Sequence, residues 1–193
     1  MEAFFDHWEQ LIRNQKPNRE IEIRFGKLNR GSFDTNVGKE TYDKVLRRLH
    51  KYEGWESVEE SDASKFYYDG NRRVTYDNVK GDITECVIKK RVLVDDVSLK
   101  GELFDVRLGV STETPCPHVE EEEYTKVRNT KRFSFLRKDL RIDVTAVSGD
   151  PDDPDSENET EYQIELELLR IPETRHELFN MVYKVFDVLK IAQ

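Results

Sequence analysis

Glu20-Ile21-Glu22-Ile23-Arg24-Phe25-Gly26 decides how the chain is read. Side chains in a β-strand alternate between faces, so Glu20, Glu22 and Arg24 point one way and Ile21, Ile23 and Phe25 the other. Gln163-Ile164-Glu165-Leu166-Glu167-Leu168 repeats the pattern, with Gln163, Glu165 and Glu167 in front and Ile164, Leu166 and Leu168 behind. The two stretches read as partner strands. Like charges opposite one another destabilise a strand pair, so four carboxylates gathered this way need a cation. A hard divalent metal bound by oxygen ligands supplies one, which makes Glu20, Glu22, Glu165 and Glu167 candidate metal ligands. A single such strand can also turn its charged face to water; the segments between the two weigh against that.

From Trp55 to Phe135 the chain is β-rich, with turn signals at Asp69-Gly70-Asn71, Lys80-Gly81-Asp82 and Lys100-Gly101-Glu102 delimiting an antiparallel meander. In one segment Arg73, Thr75 and Asp77 oppose Val74 and Tyr76; in the next Glu85, Lys89 and Arg91 oppose Cys86, Ile88 and Val92. Arg107, Ser111 and Glu113 then oppose Val106, Leu108 and Val110, and Arg128, Thr130 and Arg132 oppose Val127, Phe133 and Phe135. Last, Arg141, Asp143 and Thr145 oppose Ile142, Val144 and Ala146. Successive polar faces that mix Glu with Arg and Lys point to faces that meet one another, as inside a closed barrel whose apolar outside lies under helices. An open, solvated sheet is the alternative, because alternation alone does not show closure. A lumen lined by Arg73, Lys89, Arg91, Arg107, Arg128, Arg132 and Arg141 binds an anion of high charge density. With metal at the carboxylates, a triphosphate suits both ends, and phosphoryl transfer to water needs just these parts.

Helical spacing predicts three covering helices: Glu2 to Asn14, with Phe4, Phe5, Trp8, Leu11 and Ile12; Lys39 to Tyr52, with Tyr42, Val45, Leu46 and Leu49; and Pro172 to Ile191, with Leu178, Met181, Val182, Val185, Phe186 and Leu189. The 193 residues fit one domain, 1–193, large enough to bury a core. Charged residues make up 37% and the net charge is -9, which excludes a non-specific nucleic-acid binder and leaves any polyanion to a local basic site. Cys86 and Cys116 sit in unrelated contexts, so a reduced intracellular protein is the expectation and zinc is not indicated. There is no secretory segment and no apolar run long enough to span a membrane. The acidic run Glu120 to Glu123 and the excursion Ser148 to Asn158 read as solvated loops. No phosphate-binding GxxxxGK[ST] loop, cysteine-phosphatase loop or histidine triad is present.

At this point the sequence resembles the triphosphate tunnel metalloenzymes, and within them the metal-dependent RNA 5′-triphosphatases of mRNA capping in fungi, protozoa and large DNA viruses. Glu20-Ile-Glu22-Ile-Arg24 is similar to the family's first-strand ExExR or ExExK, and Glu165-Leu-Glu167 to its last-strand glutamate motif. Arg141-Ile-Asp143-Val-Thr145 is similar to its RxDx[ST] strand, Lys89-Lys-Arg91 to its basic strand, and Arg128 to Arg132 to a strand of alternating basic residues. The resemblance implies an α+β fold, a closed eight-stranded antiparallel β-barrel with flanking helices. It also implies Mg2+ or Mn2+ dependence and hydrolysis of the γ-phosphate of a 5′-triphosphate RNA end, or of a nucleoside triphosphate. By position, Glu20, Glu22 and Glu167 ligate metal, Glu165 supports it, and Glu113 helps place the attacking water. Arg132 and the other cations, Arg24 among them, grip the triphosphate, and Asp143 supports them. Gln163 departs from a glutamate, and Thr130 from a lysine, expected at those places.

No KxDG nucleotidyltransferase motif appears, so guanylyl transfer falls to another domain or subunit, and the compact size resembles a viral capping enzyme's triphosphatase domain. The resemblance leaves the site of action as host cytoplasm for a viral enzyme or nucleus for a fungal one. Within the same family a tripolyphosphatase, thiamine triphosphatase or adenylate cyclase is the alternative, and outside catalysis a barrel that binds polyphosphate or RNA ends.

Overall fold

The apolar backs of the two glutamate strands dictate the architecture, because Ile21, Ile23, Phe25, Ile164, Leu166 and Leu168 must be covered, and all are buried. In the computed structural model, which describes residues 2–118, 123–149 and 160–193, they face outward from a barrel and the helices cover them. The described residues form helices α1 (Glu2–Arg13), α2 (Lys39–His50) and α3 (Arg175–Ala192). The strands are β1 (Glu20–Asn29), β2 (Ser32–Asp34), β3 (Ser57–Tyr68), β4 (Arg72–Asp77), β5 (Asp82–Val97), β6 (Asp105–Pro115), β7 (Lys126–Arg137), β8 (Leu140–Ser148) and β9 (Glu161–Leu168). Residues 120–122 of the acidic run and 150–158 of the excursion lie outside the described residues.

The ladder runs β1-β6-β5-β4-β3-β7-β8-β9 and returns to β1, every pair antiparallel, so eight strands close a ring while β2 hangs on β1 alone. The closing pairs set Glu22 against Glu167, Ile23 against Leu166 and Arg24 against Glu165. Alternation then does the sorting: what points outward from β1, β6, β8 and β9 is aliphatic or aromatic, and what points inward is charged. Trp8, Ile12, Val45, Leu178, Val182, Val185 and Leu189 come from the helices onto that outer face, all nearly inaccessible. Each such side chain contributes about 1.5–3 kcal/mol on burial, so the core that stabilises the ring lies outside it. Trp8 also donates its indole N–H to Asp95 at 2.9 Å.

The predicted helices are present, two with earlier ends. The third begins later, at Arg175, because Thr174 caps it: its hydroxyl accepts from the Glu177 N–H while Glu177 reaches back, a reciprocal box stronger than the Pro172-Glu173 signal. The loop expected after Gly26 contains a hairpin instead. Arg30 and Gly31 both take positive φ, the twist a tight two-residue turn needs, and β2 follows. Gly26 makes the crossing possible, since a Cβ there would run into the Asp34 carbonyl and the Phe33 ring. Cys86 and Cys116, unconnected in sequence, are brought together by the β5–β6 register: the Cys116 N–H donates to the Cys86 carbonyl at 2.9 Å, and the two free thiols lie 2.8 Å apart. Among the described residues no helix is long and apolar enough to cross a membrane.

Candidate active site

Closure of β1 onto β9 brings both glutamate motifs to one wall of a lumen of about 500 Å³. Glu20, Glu22, Glu165 and Glu167 line it with Glu113 from β6. Lys89, from β5, sits among them: its ammonium reaches Glu20 at 2.5 Å, Glu22 at 2.7 Å and Glu113 at 3.2 Å. Ser111 donates to Glu20 at 2.7 Å. Arg24 bridges the seam, 2.7 Å from Glu22 and 2.9 Å from Glu165. Arg141 holds Glu167 and, at 3.1 Å, Asp143, which also takes Arg132 at 3.1 Å. Arg132 donates a further bond to the Thr145 hydroxyl at 3.2 Å. Arg73 joins Glu85 at 2.9 Å to Glu113 at 3.1 Å.

The carboxylates are not equivalent. Burial pushes the Glu22 carboxyl up, but Arg24 and Lys89 outweigh it and hold Glu22 at about 2. Glu20 is raised, by burial and then by Glu22. Glu167 is pushed up to about 7: burial leads, Arg141 opposes it, and the charges of Glu20, Asp143 and Glu22 add to the rise. A carboxyl whose folded value lies above its unfolded one binds more protons in the folded state, so stability falls as pH climbs between the two values. Without divalent metal, the unfolding free energy is expected to drop between pH 5 and pH 7, by about 2 kcal/mol after allowance for residual exposure, and Glu167→Gln to flatten the slope. Denaturant titrations at several pH values check this; an equal slope in the variant would remove Glu167 as its source.

The donor set suits a hard divalent cation, since every candidate ligand is a carboxylate oxygen. Among the described residues no three acidic, His or Cys side chains converge on one metal-sized point. The Lys89 ammonium lies between Glu20, Glu22 and Glu113.

Of the cations expected in the lumen, Arg24, Arg73, Lys89, Arg128, Arg132 and Arg141 line it; Arg91 and Arg107 do not. The β5–β6 register shifts between Arg91 and Leu93, so the alternation carried through Arg91 breaks there and that side chain is exposed. Arg107 is held by Asp96, directly across the ladder, at 2.6 and 2.9 Å, and stacks on Phe33. Asp143 is 2% exposed, beneath Arg132 and Arg141. Thr130 and Gln163, at the two departures, line the lumen. The Thr130 hydroxyl donates to the Ala63 carbonyl at 3.1 Å, and the Gln163 amide to Thr35 at 3.3 Å. Sequence reasoning missed the lining face of β3, which contributes Ser61, Ala63, Lys65 and Tyr67. The available signal was Lys65 and Tyr67 alternating with Phe66 just before the Asp69-Gly70-Asn71 turn.

Known proteins share this fold. The S. pombe Pct1 RNA triphosphatase superposes with a TM-score of 0.79 at 17% identity, over 99% of this chain and 91% of that one. The RNA triphosphatase domain of the mimivirus capping enzyme gives 0.69 at 16% identity, over 100% and 97%. At such identities the likeness concerns the fold, the closed eight-stranded tunnel with helices outside. The mRNA-capping enzyme subunit beta of Cryptococcus neoformans is 32% identical over 104 residues, 53% of this chain and 26% of that protein. Its Candida albicans counterpart is 24% identical over 214 residues, 86% and 40%. The match thus spans a quarter to two fifths of these relatives' length, and their fungal origin points away from the viral one that compact size implied. The family described as "mRNA capping enzyme, beta chain" matches residues 2–180, and the chain belongs to it.

Proposed function

We propose that this chain hydrolyses the γ-phosphate of 5′-triphosphate RNA ends, the first step of mRNA cap formation, and accepts free nucleoside triphosphates at the same site. The observation that carries the reading is the β1–β9 seam, which sets the carboxylates of Glu20, Glu22, Glu165 and Glu167 on one wall of a lumen whose other walls carry guanidinium and ammonium groups. Glu20, Glu22 and Glu167, with Glu165 in support, would hold Mg2+ or Mn2+, which would supply charge neutralisation at the transferring phosphate. Arg24, Lys89 and Arg141, which neutralise those carboxylates, line the lumen where they would meet phosphate oxygens. Arg132, aligned by Asp143 and Thr145, meets the charge that builds on the γ-phosphate as the bond to the bridging oxygen breaks. Glu113, joined to Arg73 and Lys89, orients the attacking water.

The product is a diphosphate RNA end, which is what a guanylyl transfer consumes. The relatives' name, subunit beta, supports a separate guanylyltransferase partner, with this chain as the triphosphatase part of a larger capping enzyme acting in the nucleus. The test is phosphate release from γ-labelled triphosphate-ended RNA with Mg2+, with Mn2+ and with chelator. Release of γ-phosphate alone, abolished by chelator, is expected; a folded protein that releases none with either metal would overturn the assignment.

A further inference from the structure

Strand β3 lies four strands from β1 in either direction round the ring, so its inward side chains look across the lumen at the carboxylate wall. Lys65 is on that face. Seven cations line the lumen, and five of them, Arg24, Arg73, Lys89, Arg132 and Arg141, are engaged by carboxylates. Lys65 and Arg128, paired directly across the β3–β7 ladder, have no carboxylate partner among the described residues. No carboxylate of the described residues comes within ion-pair distance of either cation, and Glu165 and Glu85 act on Lys65 only from further off, too weakly to offset its cationic neighbours. Burial, then Arg132 and Arg73, pull the Lys65 ammonium down to about 8. A buried ammonium without an ion-pair partner is costly in the empty lumen, and a perturbed charged group facing a cavity is a candidate for binding what enters it.

We propose that Lys65 is a substrate-binding residue of the tunnel, its ammonium taking a phosphate oxygen on the side of the lumen away from the carboxylates. The inference rests on the triphosphate reading above and adds a contact from the strand that carries none of its motifs. An incoming polyphosphate supplies the anion that Lys65 and Arg128 lack, so its charge is matched on both walls at once, and a charge-assisted hydrogen bond to phosphate is among the stronger polar contacts available.

Calorimetric titration of inorganic tripolyphosphate into wild type, Lys65→Met and Lys65→Arg tests it, with thermal midpoints of the three free proteins and steady-state kinetics on triphosphate-ended RNA alongside. Lys65→Met is expected to weaken tripolyphosphate binding about 10- to 100-fold, Lys65→Arg to stay within about threefold of wild type, and the RNA effect to fall on KM more than on kcat. The free Lys65→Met protein is expected to melt no lower than wild type, because it has lost an unpartnered buried charge. Wild-type tripolyphosphate affinity in Lys65→Met overturns the role of Lys65 and leaves the triphosphate reading standing. Loss of binding together with a lowered midpoint, unrescued by arginine, makes Lys65 a structural residue and also overturns it. A wild-type protein that binds no tripolyphosphate with or without metal overturns the triphosphate reading itself.

Discussion

Under the proposed function, Glu22→Gln is expected to lower γ-phosphate release about 100- to 1,000-fold while leaving the barrel folded. Glu22 is 9% exposed, sits on the seam opposite Glu167, and is held ionised by Arg24 and Lys89, so it offers a permanent negative charge at the centre of the carboxylate wall. The amide keeps the shape and removes the charge, and losing one fixed charge-stabilising group from such a site costs about 100- to 1,000-fold in rate. The fold survives because neither cation is stranded: Arg24 keeps Glu165, and Lys89 keeps Glu20 and Glu113. Initial rates at saturating metal, read with the thermal midpoint, check both halves. Glu60→Gln, an exposed carboxylate on the outer face of β3, is the control for net charge and should match wild type. A Glu22→Gln protein with more than a tenth of wild-type activity would remove the seam from the chemistry.

Asp143→Ala has the largest expected effect on stability. One oxygen of this buried carboxylate takes both Arg132 and Arg141, each at 3.1 Å, and the other has no partner. Among the described residues Arg132 has no second carboxylate, so truncation leaves a partly buried guanidinium uncompensated between β7 and β8. Breaking a buried pair from one side costs about 3–5 kcal/mol. Asp143→Asn retains an acceptor and should lose about half as much. The denaturation midpoint measures the cost. Activity of whatever Asp143→Ala remains folded should fall as well, because Arg132 and Arg141 lose the anchor that aims them into the lumen. A midpoint within about 1 kcal/mol of wild type would show that water or the Thr145 hydroxyl already satisfies Arg132.

The seam was legible because β1 and β9 are covered by helices. Coverage forces aliphatic residues onto the outer positions, and alternation then reports the inner ones without ambiguity. The same holds for β6 and β8, whose Val106, Leu108, Ile142 and Val144 are buried. It fails where coverage fails. Among the described residues no helix packs closely over the outer side of β3, where Val58 is exposed, so Ser57-Val58-Glu59-Glu60-Ser61-Asp62 is polar at all but one position and the strand exists through its ladder to β7. Lys65 went unread for that reason. Arg107 lies across the β1–β6 ladder from Arg24, on the inner face as alternation has it, but Asp96 engages it and it does not line the cavity; that partner, like the bulge beside Arg91, is a property of register, which one strand's sequence does not carry. The meeting of Cys86 with Cys116 has the same origin.

The closure of β1 onto β9 also governs which polymers can reach the interior. An open sheet lets a polyanion lie across it anywhere along its length. A ring of eight hydrogen-bonded strands is entered only through its mouths, so a chain can thread a terminus into it but never its middle. Under the proposed function, internal phosphodiesters are therefore refused by connectivity before any side chain discriminates against them, and the choice of ends over middles resists point mutation as long as the seam stays shut.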